Sequence, residues 1–197
     1  MKKSVKVLVI VTMTLLFGNV AQSQLKLPVT NGIAPDVKKV IQDYPNHFSN
    51  LQGELIIQQA QSTDYECNFK VNGAEQASIT QYTSTKKIIS SWQALMLTTD
   101  DFEEAKKKFK SLFGQLNNLT VKMENTNAYH LKGKYEAPAE EKKFTSVIFS
   151  FENGGEEIKK LKVEIVMLYE PMEWKVKVLV YDKEREDDER GPRDESR

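Results

Sequence analysis

The residue types that do most enzyme chemistry are scarce in this chain. It has one cysteine, Cys67, and two histidines, His47 and His130. A thiol nucleophile needs a base within hydrogen-bond reach, and a zinc site needs three or four ligands at short spacings. No His-x-x-x-His or His-Glu-x-x-His spacing occurs. There is no Gly-x-Ser-x-Gly elbow and no glycine-rich phosphate loop. Carboxylates are plentiful but scattered, and Glu140-Glu141 falls in a polar loop after Pro138. The sequence therefore offers no catalytic set, no metal ligand set and no cofactor fingerprint.

Local pattern explains the three scarce residues. Tyr65, Cys67, Phe69 and Val71 alternate with polar residues, which places Cys67 on the inward face of a strand as a small hydrophobe. His47 follows Tyr44-Pro45-Asn46 at a helix interruption, and His130 shares the polar parity of its strand with Lys132 and Lys134. The aromatic residues are the better binding candidates. Trp92, Trp174, Tyr82, Tyr129, Tyr135, Tyr169 and Tyr181 all fall in strand-like segments. If several share one open sheet face, they form a surface for a peptide, glycan or apolar ligand, with Trp92, Tyr129 and Trp174 as its candidate residues. The competing assignment is a sheet–helix core.

What positions these residues starts with the chain's first segment. Lys2, Lys3 and Lys6 precede an apolar run from Val7 to Phe17, and Ala21 and Ser23 are small residues before Gln24. This charged, apolar, small-residue order reads as a signal peptide over 1–23. The run is about 11 residues, where a bilayer span takes about 20. A soluble exported protein, periplasmic or secreted, is expected, with no membrane span in the mature part. Those 23 residues hold three Lys and no acid, so the remaining 174 carry 25 basic against 28 acidic residues. That balance excludes a nucleic-acid binder by bulk charge. With a single Cys, an exported chain has no internal disulfide and depends on its core.

Residues 24–33 read as a flexible segment containing Pro28 and Gly32. Pro35-Asp36 opens a helix with Val37, Val40, Ile41 and Tyr44 at helical spacing. Strands are expected over 54–60, 65–71, 77–83 and 87–97, the last with apolar residues at both parities. Thr99-Asp100-Asp101 caps a helix over 101–116, whose stripe is Phe102, Ala105, Phe109, Leu112, Phe113 and Leu116. Five more strands follow over 119–124, 129–135, 144–151, 161–169 and 174–181, the last two joined by Glu170-Pro171-Met172-Glu173. Short turns make antiparallel pairing the default. The expected fold class is α+β: an antiparallel sheet with two main helices on one face.

One domain over 34–182 is expected, followed by a charged, solvated tail over 183–197. The halves 34–98 and 99–182 share an order of one helix and then at least four strands. Phe48, Leu51, Gly53 and Leu55 also match Phe109, Leu112, Gly114 and Leu116 at a constant offset. Two explanations stand: a tandem helix–four-strand duplication, or a single domain that alternates this way.

The signal end Ala21-Gln22-Ser23-Gln24, the segment Tyr44-Pro45-Asn46-His47-Phe48 and the closing Val180-Tyr181-Asp182-Lys183-Glu184 give the chain its likeness. It resembles small exported proteins of unknown function from Bacteroidetes-type bacteria. The resemblance implies an envelope location and brings no activity, cofactor or site residue. The functional expectation is a non-enzymatic binding or protein-interaction module for an envelope protein, peptide or glycan. The alternatives are a periplasmic hydrolase using carboxylates or Cys67, and an inhibitor-like protein that occludes a partner with its sheet face.

Overall fold

In the computed structural model, residues 32–83, 89–123, 128–152 and 156–182 are described. The expected signal peptide, the start of the segment after it, the expected turn at Asn153-Gly154-Gly155 and the charged tail lie outside them. No helix among the described residues is long and apolar enough to cross a membrane.

Helix α1 spans Ala34–Gln42, with Pro35 in its first turn, where the missing N–H costs nothing, and Asp36 favouring the helix dipole. Val37, Val40 and Ile41 make its buried face. Two 3-10 turns, Tyr44–Asn46 and Ser49–Leu51, carry the chain to the sheet. Between them His47 and Phe48 take left-handed backbone angles, φ 53° and 59°. Asp43 holds this corner. It is buried, and its Oδ1 accepts the side-chain amides of Asn46 (2.8 Å) and Asn50 (2.7 Å).

Four strands follow: β1 Gln52–Gln58, β2 Ser62–Cys67, β3 Gln76–Tyr82 and β4 Ile89–Thr99. Helix α2 is Phe102–Leu116, capped by Asp101, whose carboxylate accepts the backbone N–H of Glu103 (2.8 Å) and Glu104 (3.2 Å). Then come β5 Thr120–Lys122, β6 Ala128–Gly133, β7 Phe144–Glu152, a single helical turn α3 Glu156–Lys159, β8 Leu161–Glu170 and β9 Glu173–Asp182. The fold is α+β, and most elements fall close to where the residue pattern places them, but the turn α3 is absent from that pattern and β5 is shorter than the expected 119–124. The second expected strand, 65–71, is observed as β2 over Ser62–Cys67 and stops short of Phe69 and Val71. There Asn68 turns its N–H to the Leu51 carbonyl (2.9 Å).

Among the described residues, nine strands join one antiparallel sheet in the order β1-β2-β3-β4-β9-β8-β7-β6-β5. Each half is a meander, and the two meanders meet through their last strands. In the β4–β9 seam Trp92 faces Val180, Ala94 faces Val178, and Thr99 faces Trp174. A register shift between Leu95 and Leu97 inserts Met96 as a bulge. This brings Leu97, opposite Val176, onto the side of Trp92 and Ala94, so apolar residues of both parities in β4 reach the same face.

One buried cluster organises the molecule. From the strands it takes Ile79, Trp92, Ala94, Val147, Phe149, Val163, Ile165, Val176, Val178 and Val180. From the helices it takes Val37, Val40 and Ile41 of α1 and Ala105, Phe109, Leu112 and Leu116 of α2. Helix α1 lies against β5 and β9, and α2 against β4, β8 and β9. The four-residue match between the halves does not coincide with equivalent places. Gly53 and Leu55 are in strand β1, whereas Gly114 and Leu116 are in helix α2.

Candidate functional site

Strand alternation sends Trp92 and Ala94 into the buried cluster, so Ser91, Gln93 and Leu95 face the other way. The register then assembles a second set across three strands. Gln76 pairs with Leu95 and Ser78 with Gln93 between β3 and β4, while Leu95 pairs with Lys177 between β4 and β9. Gln76, Ser78, Gln93, Leu95, Lys175 and Lys177 line a cavity of about 150 Å³ there. It lies beside the Met96 bulge, a common neighbour of functional sites. Pockets that engulf a whole drug-sized ligand run to about 300–1,000 Å³, so this one takes a single side chain or a comparable group.

The lining is dominated by hydrogen-bonding groups. Gln93 Nε2 donates to Ser78 Oγ at 3.2 Å, and Ser78 is buried. Lys175 Nζ donates to Glu170 Oε2, and Lys177 Nζ to Glu170 Oε1 at 3.3 Å. The Lys175 hydrogen bond, against a smaller opposing effect of desolvation, holds the Glu170 carboxyl below the usual carboxylate range. The same bond raises the Lys175 ammonium above its ordinary value, with added attraction from Glu173 and Glu75. Glu170 thus holds both ammonium groups, and Glu173 and Glu75 add to the negative field at Lys175. The pocket's chemistry suits a neutral hydrogen-bonding group such as an amide or hydroxyl, with Leu95 as an apolar contact.

The residues singled out from the sequence lie elsewhere. Trp92 is 0% exposed within the buried cluster, and its indole N–H is buried without a hydrogen-bond partner. Trp174 is 3% exposed and packs between Phe102 (5.2 Å between ring centroids) and Tyr169 (5.1 Å). Tyr129 is half-buried, edge-on to Phe151. By parity Trp92 and Trp174 share the side of Val178 and Val180. Tyr82 and Tyr181 take the opposite side, next to Ser91 on β4. The aromatic set is thus divided between faces.

Cys67 is half-buried against the core cluster. His47 and His130 are both exposed, and His130 Nδ1 lies 3.0 Å from Thr120 Oγ1. Among the described residues no group of three or more His, Cys, Asp or Glu is placed to hold a metal ion.

The cavity residues carry one signal in sequence: Lys175 and Lys177 sit on the polar parity of an otherwise apolar strand. Only the topology joins them to Gln76 and Gln93. No family model, curated protein or solved structure matches the chain.

Proposed function

We propose that this chain is an exported, non-enzymatic protein-interaction module that grips an extended segment of an envelope protein with one face of its sheet. In this reading both helices cover one face of the sheet and leave the other open. The strand order, in which β4 pairs with β9, supports a seam at the centre of that open face. The observation that carries the reading is the hydrogen-bonding cavity spanning β3, β4 and β9. Its glutamines and serine match the donors and acceptors of a peptide backbone and polar side chain. Beyond it, Phe144 (55% exposed) and Ile148 (47%) offer apolar contacts on the same parity. The buried placement of Trp92 and Trp174 removes two of the stacking platforms that a glycan would use.

Export is supported by Lys2, Lys3 and Lys6, the apolar run after them, and the Ala21-Gln22-Ser23 end. The mass of the chain recovered from the envelope should correspond to a start at Gln24. To test the binding face, a photo-reactive residue is placed at Gln93 or, as a control, at exposed Lys107 on α2. A discrete protein adduct is expected from Gln93, weakened by Lys177→Glu, and none from Lys107. Equal labelling from both positions, or no adduct from Gln93, would overturn the reading.

A further inference from the structure

The two edges of the sheet are finished differently. The β5 edge is three residues long, carries exposed Lys122, and has the Lys122 carbonyl capped by Gln42 Nε2 of α1 at 2.9 Å. Short length, lysine and a covering side chain are the usual means of keeping an edge from pairing. The β1 edge has none of these. It runs seven residues, Gln52–Gln58, with no Lys or Pro, and every residue after Gln52 is exposed. At its centre Leu55, Ile56 and Ile57 are 57%, 44% and 46% exposed. Register shifts against β2 on both sides of Leu55 re-aim these side chains, so that three consecutive apolar residues all lie outside the core.

We infer that the β1 edge is a self-association site, on which a second copy of this chain pairs antiparallel through its own β1. Charge and register favour a second copy. An isologous pair about a two-fold axis at Ile56 sets Ile56 against Ile56 and Leu55 against Ile57 twice. Every central cross-strand pair is then apolar. Glu54, the only charge in the strand, faces an uncharged Gln58 of the other copy. The two Glu54 carboxylates stand about 14 Å apart along the strands, beyond the screening length of about 8 Å at physiological salt. A register moved by two residues brings Glu54 against Ile56 or sets Ile56 against Gln58, so the Ile56-centred register is selected by composition.

The test is the oligomeric state of the purified chain. Light scattering should give a dimer at about 100 µM, a concentration that populates even a micromolar interface of small area. Ile56→Lys should give a monomer with unchanged circular dichroism. In a Cys67→Ser background, Ile56→Cys should form a disulfide dimer under mild oxidation. Glu54→Cys alone should not, but should cross-link when mixed with Gln58→Cys. A wild-type monomer overturns the proposal, as would an edge that serves only a peptide of another protein. A dimer indifferent to Ile56→Lys, or a Glu54→Cys homodimer as abundant as that of Ile56→Cys, also overturns it.

Discussion

Tyr44 shows how much a single side chain ties together. It follows α1, packs on Phe48 at 6.1 Å, and donates its hydroxyl to Asp182 Oδ2 at 2.8 Å, at the end of β9. Burial and then this hydrogen bond raise the phenol well above its ordinary value near 10. The folded state holds the proton more tightly than the unfolded chain does. The stabilising contribution is therefore complete below about pH 10 and is lost as pH rises above it. Ultraviolet titration should show one of the seven tyrosines ionising only as the fold fails in alkali. Tyr44→Phe should remove that late component, and its persistence would mean another tyrosine is responsible. Such a bond spans 138 positions, and nothing local in Tyr44-Pro45-Asn46 announces it. The same holds for the cavity: Gln76, Gln93 and Lys177 are ordinary polar-parity residues until the register brings them together. Trp92 and Trp174 illustrate the converse. Aromatic residues in strands are legible, but which face they take depends on where the helices pack.

At the level of elements the sequence is far more informative, because period and caps are local. The alternation in β8 and β9 and the stripe of α2 reproduce the observed spans nearly residue for residue. The short or irregular elements are less clear: β5 shrinks to three residues and β2 ends before its pattern does. Element α2 also has the stronger start. Asp101 accepts two backbone N–H groups, whereas Ile33 before α1 makes no side-chain cap. Loss of such a cap costs about 1 kcal/mol. Asp101→Ala should therefore lower the thermal midpoint by about 2–4 °C, the shift that 1 kcal/mol produces in a domain of this size. Asp101→Asn, which keeps an acceptor, should recover most of the loss in calorimetry. Equal losses in the two variants would point to the charge instead of the cap.

The whole molecule is held by contacts that cross between its halves. Helix α1 opens the first half yet lies against β5 and β9 of the second, while α2 of the second half lies against β4 of the first. Between them runs the β4–β9 seam, whose Trp92–Val180 and Ala94–Val178 pairs lie in the one buried cluster. Neither half keeps its apolar face covered without the other. Unfolding either half alone would expose the seam and strip one helix from its seat, so an intermediate with one half intact gains little. The two tryptophans report on this, one from each half. In Trp174→Phe the remaining fluorescence comes from Trp92 in β4, and in Trp92→Phe from Trp174 in β9. In urea, each variant's fluorescence transition should coincide with its own far-ultraviolet dichroism, both fitting a single midpoint. Trp92 fluorescence that changes at a denaturant concentration where half of the dichroism persists would show instead that the halves fold separately. The crossed packing of α1 would then contribute little to stability.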